Sequence, residues 1–65
     1  MYAAACKETL EAYYGKRVRL VLEDGEEVNG LLREVGKNVA VACQSFLLSR
    51  YDFSDIVEVW ICVVE

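Results

Sequence analysis

"LEDGEEVNGLLREVGKNVAV", residues 22–41, decides the fold because it holds three strand-like segments separated by two tight turns. Asp24-Gly25 is typical of a two-residue type I′ hairpin turn, since both central positions of that turn need positive φ. Gly30 interrupts the second strand, and a glycine inside a strand often marks a bulge or a bend. The stretch therefore predicts a bent three-stranded ribbon, and such bends let a short sheet curl toward a closed barrel.

The chain before this ribbon predicts an α-helix over about residues 3–14. Apolar residues recur there at helical spacing, charged residues lie on the other faces, and Gly15 supplies a stop signal. The residues that define the apolar face are Ala3, Cys6, Leu10 and Tyr13. The helix therefore has one face to bury against the sheet.

Alternating polar and apolar residues after Gly15 predict five strands, at about 16–22, 26–35, 38–43, 46–51 and 56–64. The predicted fold is mainly β, a single domain over 1–65, with an N-terminal α-helix followed by a five-stranded, strongly bent antiparallel small barrel over about 16–64. The last strand is apolar on both faces, which is an aggregation hazard unless the helix or another chain covers it. We therefore predict an oligomer interface formed by Val57, Val59, Trp60, Ile61 and Val63.

Composition points to self-association rather than to cross-linking. A domain of 65 residues is marginal alone and usually adds disulfides, a metal or a partner subunit. Three cysteines without any histidine encode neither a disulfide framework nor a usual zinc site, so no metal or cofactor is predicted. A hydrophobic content of 55% favours a homo-oligomer instead.

The same composition narrows the classes of function. Without histidine, general acid–base chemistry and the activation of a cysteine nucleophile lack their usual partner, so no enzyme is predicted. The N-terminal segment lacks the basic start and apolar core of a targeting peptide, and the apolar C-terminal segment is shorter than the roughly 20 residues that span a bilayer. We predict a cytoplasmic protein with reduced thiols and no membrane partner.

The order of elements resembles the Sm-like (Lsm) small barrel, a member of the broader SH3-like class. The pattern V-x-L-x-D-G-x-x-x-x-G-x-L across the first two barrel strands is matched by Leu20, Leu22, Asp24, Gly25, Gly30 and Leu32. The later segment SRYDFSDIVEVWI resembles the strand-turn-strand ending of such barrels, and Asp55, Ile56 and Val59 carry that match. The C-terminal barrel of bacterial ribosome-maturation factors is similar in layout.

The resemblance implies a ring of about five to seven subunits, in which the fourth barrel strand of one subunit pairs with the fifth of the next. It also implies that single-stranded RNA binds near the pore, at the loops after the second and fourth barrel strands. The residues at these loops are Lys37, Asn38, Arg50 and Phe53, with Arg50 placed to contact phosphate and Phe53 to stack on a base.

Each of these residues also has a plainer explanation. Lys37 and Asn38 are ordinary turn residues, because asparagine tolerates left-handed φ. Phe53 fits a core residue that caps the barrel between two strands. Trp60 suits an interface anchor, since tryptophan is enriched at binding hot spots, and it equally suits burial under the helix.

A basic cluster of Lys16, Arg17 and Arg19 has two explanations as well. The first is cross-strand pairing with the glutamates of the neighbouring hairpin, and the second is a local patch for phosphate on a chain of net charge −4.

Two functions follow from the sequence as a whole. One is an Sm-like ring that binds single-stranded RNA in RNA metabolism or post-transcriptional regulation. The alternative is a protein-interaction adaptor or homo-oligomeric scaffold without nucleic-acid binding.

Overall fold

The computed structural model describes residues 1–43 and 47–63, which form one antiparallel sheet of six strands. The order of strands across the sheet is β1-β6-β2-β3-β4-β5. The strands are β1 (Tyr2–Ala5), β2 (Arg17–Leu22), β3 (Glu27–Val35), β4 (Asn38–Ala42), β5 (Leu48–Asp52) and β6 (Ile56–Cys62), and two 3₁₀ helices cover Lys7–Tyr13 and Phe53–Asp55. The predicted mainly β, antiparallel fold is confirmed. The predictions for Phe46 and Val64 as strand residues lie outside the described residues.

The predicted N-terminal α-helix is wrong. Its first residues form β1, which pairs with β6 from Tyr2 opposite Cys62 to Ala5 opposite Val59. The rest is a 3₁₀ helix that departs from helical geometry at Thr9 (φ −105°, ψ 17°). The alanine-rich start suits a helix by propensity, but β6 needs a neighbour on its outer side, and tertiary pairing overrides a weak local preference. Leu10 still reaches the core and is fully buried.

The first hairpin lies where the sequence predicts it, although its loop is longer than predicted. Gly25 has φ of 91°, and its backbone N–H donates to the Leu22 carbonyl oxygen at 2.9 Å. The Leu22 N–H in turn donates to the carbonyl oxygen of Glu26 at 2.8 Å, so the loop has three residues instead of two. Such loops place a left-handed glycine last, which explains why Gly25 is required there. The predicted type I′ turn is therefore wrong.

Gly30 allows β4 to approach β3 closely. A Cβ added at Gly30 would lie 2.5 Å from the Val41 Cγ1 atom and 2.6 Å from the Ala42 carbonyl oxygen. The strand changes partner at this point, because β3 pairs with β2 up to Leu31 and with β4 from Leu31 onward. The register shifts just beyond, between Leu32 and Glu34, which is the signature of a β-bulge.

The sheet does not close into the predicted barrel. Its two edge strands are β1 and β5, and the described residues form no ladder between them. Because β1 occupies the outer side of β6, the strand that the sequence places at a free edge lies inside the sheet instead.

One face of the sheet carries the hydrophobic core. Strand β2 shows the pattern clearly, since Val18, Leu20 and Leu22 are buried while the residues between them are not. The buried core consists of Leu10, Val18, Leu20, Leu22, Val28, Leu32, Val39, Val41, Ile56, Val59 and Ile61. We call this side the inner face and the opposite side the outer face. The outer face is the one available to a ligand.

Candidate nucleic-acid interface

The structure brings three of the four predicted RNA-binding residues together. The backbone N–H of Phe53 donates to the Lys37 carbonyl oxygen at 2.9 Å, which joins the turn after β3 to the 3₁₀ helix after β5. Asn38 begins β4 and lies opposite Asp52 of β5. Lys37 and Asn38 are both exposed. The two loops that the resemblance assigns to RNA therefore meet on one side of the molecule.

Arg50 is held by an ion pair rather than left free. Its Nη1 atom donates to Glu34 Oε1 at 2.7 Å, in the one ion pair found in residues 1–43 and 47–63. The two side chains lie on either side of Ala40, which is opposite Glu34 on one strand and opposite Arg50 on the next. Ala40 is fully buried although it belongs to the outer face. The small alanine therefore lets the ion pair close over it.

The ring of Phe53 is covered by a cation. Lys7 Nζ lies 4.9 Å from the ring centroid and also donates to the Ile56 carbonyl oxygen at 2.9 Å. Phe53 itself is half-buried and packs against the core. A base that stacked on the covered side would have to displace an ammonium that already has a cation–π contact and a hydrogen bond.

The predicted oligomer interface does not form one surface. Val59 and Ile61 are 2% and 7% exposed and belong to the core. Trp60 is half-buried and donates from Nε1 to Glu58 Oε1 at 3.2 Å, whereas Val57 and Val63 are exposed. Residues 59–61 of β6 pair with β1 on one side and with β2 on the other, so this part of the strand has no free backbone edge for a neighbouring subunit. That a neighbouring subunit pairs with β6 stays a prediction.

Three arginines lie on the outer face, and Lys16 precedes Arg17 at the start of β2. These four cations are Lys16, Arg17, Arg19 and Arg33, and we call them the basic patch. Arg17 and Arg19 alternate with the buried residues of β2, and Arg33 is the extra residue of the β3 bulge. None of the four makes an ion pair with the part of the chain that the structure describes. The predicted pairing of Arg17 and Arg19 with the hairpin glutamates is therefore not observed.

Aromatic and amide groups surround this patch. The Arg19 guanidinium carbon lies 4.5 Å from the centroid of the Tyr2 ring, and its Nε donates to Asn29 Oδ1 at 3.1 Å. These two contacts hold the guanidinium across β1, β2 and β3. Trp60 lies opposite Arg19 on the adjoining strand β6. The arginine is thus oriented by neutral partners and keeps its full charge for a ligand.

Two shallow grooves share Arg17. The larger, of about 420 Å³, is lined by Arg17, Asn29, Gly30, Leu31, Arg33, Ala42 and Cys43. The smaller, of about 300 Å³, is lined by Gly15, Lys16, Arg17 and Cys62. The larger lies on the outer face and the smaller at the start of β2, and together they include three members of the basic patch. Leu31, which lies opposite Arg17 and is 36% exposed, adds an apolar surface between cations.

Three of the eleven acidic residues gather at a different place. Glu23, Asp24 and Asp55 line a separate groove of about 220 Å³ with Leu22, at the tip of the first hairpin. Glu23 and Asp55 are joined there by a backbone hydrogen bond of 2.8 Å. The net charge of −4 therefore averages over two regions of opposite sign. A negative total does not prevent a positive patch from forming, because local potential depends on nearby charges.

The described part of the chain has no group of three or more Cys, Asp and Glu side chains arranged to hold a metal ion. The three thiols are free, with Cys6 exposed and Cys43 and Cys62 half-buried. Within the same residues no helix has the length and apolar character to cross a membrane.

Comparison of the chain with protein-family models, with curated proteins and with solved structures finds no match. The resemblance to Sm-like barrels stays a prediction.

Proposed function

We propose that the chain binds single-stranded nucleic acid through the basic patch on the outer face. The observation that carries this proposal is that four of the seven Lys and Arg residues lie around Arg17, three of them on the outer face, without an ion pair to a carboxylate among the described residues. Cations that lie close together without anionic partners repel one another. A bound polyanion removes that repulsion, and the counterions that it releases add to the affinity.

The surroundings of the patch suit a single strand better than a duplex. Unstacked bases bind on aromatic rings and on guanidinium planes, and Trp60 and Arg19 supply one of each on adjoining strands, while the Tyr2 ring already carries the Arg19 guanidinium. Leu31 and the groove beside it offer apolar contact between two arginines. The resemblance to Sm-like proteins makes RNA the first probe.

The patch differs from the site that the resemblance implies. At the loop site, Arg50 is neutralised by Glu34 and the Phe53 ring is covered by Lys7. At the patch, Arg17 and Arg33 have no such partner in residues 1–43 and 47–63. Phosphate therefore gains a full charge–charge interaction at the patch, whereas at the loops it competes with interactions that already exist.

Two charge-matched double variants separate the sites. The first variant combines Arg17→Gln with Arg33→Gln, and the second combines Lys37→Gln with Arg50→Gln. Each removes two positive charges, so any effect of net charge alone is equal. Affinity for a fluorescent uridine 12-mer is measured by anisotropy at fixed low salt. We expect the first variant to bind at least about tenfold more weakly and the second to change affinity by less than about twofold.

Salt dependence tests the proposal independently. Neutralising up to four phosphates predicts that the logarithm of the affinity falls with the logarithm of salt concentration with a slope of up to about −3. No binding at low salt, or a greater loss in the Lys37/Arg50 variant, would show that the patch is not the site. A deoxythymidine 12-mer in the same assay shows whether the sugar matters.

The alternative function, an adaptor or scaffold that binds protein, is favoured by a different observation. Strand β5 is an edge of the sheet, and Leu47 and Leu48 are 72% and 43% exposed beside it. An edge strand offers its backbone to a partner strand by β-augmentation. Binding of that kind hardly responds to salt, so the same titration distinguishes the two functions.

A further inference from the structure

Among residues 1–43 and 47–63, strand β5 pairs with β4 alone and leaves the other side of its backbone free. Its pairing with β4 is bounded by two hydrogen bonds, from the Cys43 N–H to the Leu47 carbonyl oxygen at 3.1 Å and from the Phe53 N–H to the Lys37 carbonyl oxygen at 2.9 Å. In an antiparallel ladder the hydrogen-bonded residues alternate, so every second residue of β5 faces away from β4. The residues that present N–H and C=O groups to the outer edge are Leu48, Arg50 and Asp52.

We infer that this edge pairs with the same edge of a second copy, in a two-fold antiparallel arrangement centred on Tyr51. In that register Arg50 of each copy lies opposite Asp52 of the other, and both residues are among those with free backbone groups. Each pair therefore makes two backbone hydrogen bonds and one contact between opposite charges. The two copies then share one continuous sheet of twelve strands, twice the six of one chain.

A second register, centred on Arg50, would pair more residues of β5, but the charges on the strand favour the register centred on Tyr51. Centring the two-fold on Arg50 places Arg50 opposite itself, so two guanidinium groups meet directly and repel. Centring it on Tyr51 replaces that repulsion by two Arg–Asp pairs and brings the two half-buried Tyr51 rings side by side on the inner face. Charged residues usually keep edge strands apart, but here opposite charges two residues apart favour self-pairing in one register.

The side chains are already placed for this contact. Arg50 extends over Ala40 toward Glu34 and is 55% exposed, so its guanidinium has donors left for a second carboxylate. Asp52 is exposed and lies opposite Asn38, a neutral residue, on its own chain. The leucines at the start of β5 add exposed apolar surface near the junction.

A charge swap tests the register. We measure the native mass by light scattering and the dimer dissociation constant by sedimentation. Arg50→Asp alone places two aspartates opposite each other at both pairs, and Asp52→Arg alone places two arginines there. We expect each single variant to weaken dimerisation by about tenfold or more, and the double variant Arg50→Asp/Asp52→Arg to restore it. Arg33→Asp changes the net charge as Arg50→Asp does but lies on β3, and we expect it to leave dimerisation unchanged.

A backbone test is independent of charge. The N–H of Arg50 points to the free edge, so Arg50→Pro removes a hydrogen bond of the dimer and none of the ladder with β4. We expect a folded monomer by circular dichroism and light scattering. A native protein that stays monomeric at high micromolar concentration, a ring of five to seven copies, or a double swap that fails to restore dimers would each overturn the proposal.

Discussion

The inner and outer faces of this sheet differ in burial and in charge although the same strands form both. On the inner face β2, β3, β4 and β6 contribute apolar side chains that are nearly inaccessible, and no polar or charged residue of the described chain is buried. The outer face carries the arginines of the basic patch, and an acidic groove lies at the tip of the first hairpin. The inner face therefore determines stability, and the outer face determines what the molecule attracts.

The difference appears most sharply on β6, where neighbouring residues divide between the faces. Val59 is 2% exposed and Val57 is 53% exposed. We expect Val59→Lys to destabilise the fold by more than about 3 kcal/mol, because it buries an unpaired charge. Val57→Lys should change the free energy of unfolding by less than about 0.5 kcal/mol. Urea denaturation followed by tryptophan fluorescence measures both.

This pair of variants also separates the observed fold from the predicted ring. If β6 formed a subunit seam, Val59→Lys would dissociate an oligomer and leave folded subunits. The structure instead predicts loss of the folded chain itself. Equal stability of the two lysine variants would contradict the placement of Val59 in the core.

Glycine substitutions give the next largest effect. Gly30→Ala forces a Cβ against the Val41 methyl and the backbone carbonyl of Ala42, so we expect a loss of about 1–3 kcal/mol from overpacking. The control is Gly36→Ala, because nothing lies within 4 Å of the added Cβ and its φ is not positive. Chemical denaturation of both variants should show a loss at Gly30 only. A neutral Gly30→Ala would mean that β4 does not approach so closely.

The ion pair on the outer face should matter least. Arg50 and Glu34 are more than half exposed in one chain, so a double-mutant cycle with Arg50→Ala and Glu34→Ala, measured at a concentration where the chain is monomeric, should give a coupling energy of about 0.2–1 kcal/mol. The coupling should fall as salt is raised, since exposed charges are screened. A coupling that is larger, or that does not depend on salt, would indicate that the pair is buried by a partner.

Much of the fold could be predicted from local pattern alone. The alternation in β2, the glycine of the first hairpin and the apolar strand β6 all fall where the sequence places them. Strand β1 could not be predicted in the same way. Its alanines do not alternate with polar residues, so no local pattern predicts a strand. The segment is extended because it pairs with β6, about sixty residues later in the chain, where Tyr2 lies opposite Cys62.

The candidate site was only partly predictable for the same reason. Lys16, Arg17 and Arg19 are visible as a cluster because they are close in sequence. Arg33 joins them only through the β-bulge, whose position depends on how β4 packs against Gly30. The contacts that occupy the loop site, from Arg50 to Glu34 and from Lys7 to Phe53, connect distant segments that no local pattern relates.

The position of β6 between β1 and β2 has a consequence for the order in which the chain folds. During synthesis β1 and β2 emerge first, and each lacks its neighbour on that side until Ile56–Cys62 has been made. The hairpins from β2 to β5 can form early, because their contacts are local. The sheet is completed only when the last strand inserts between the first two, so its insertion is expected to set the folding rate.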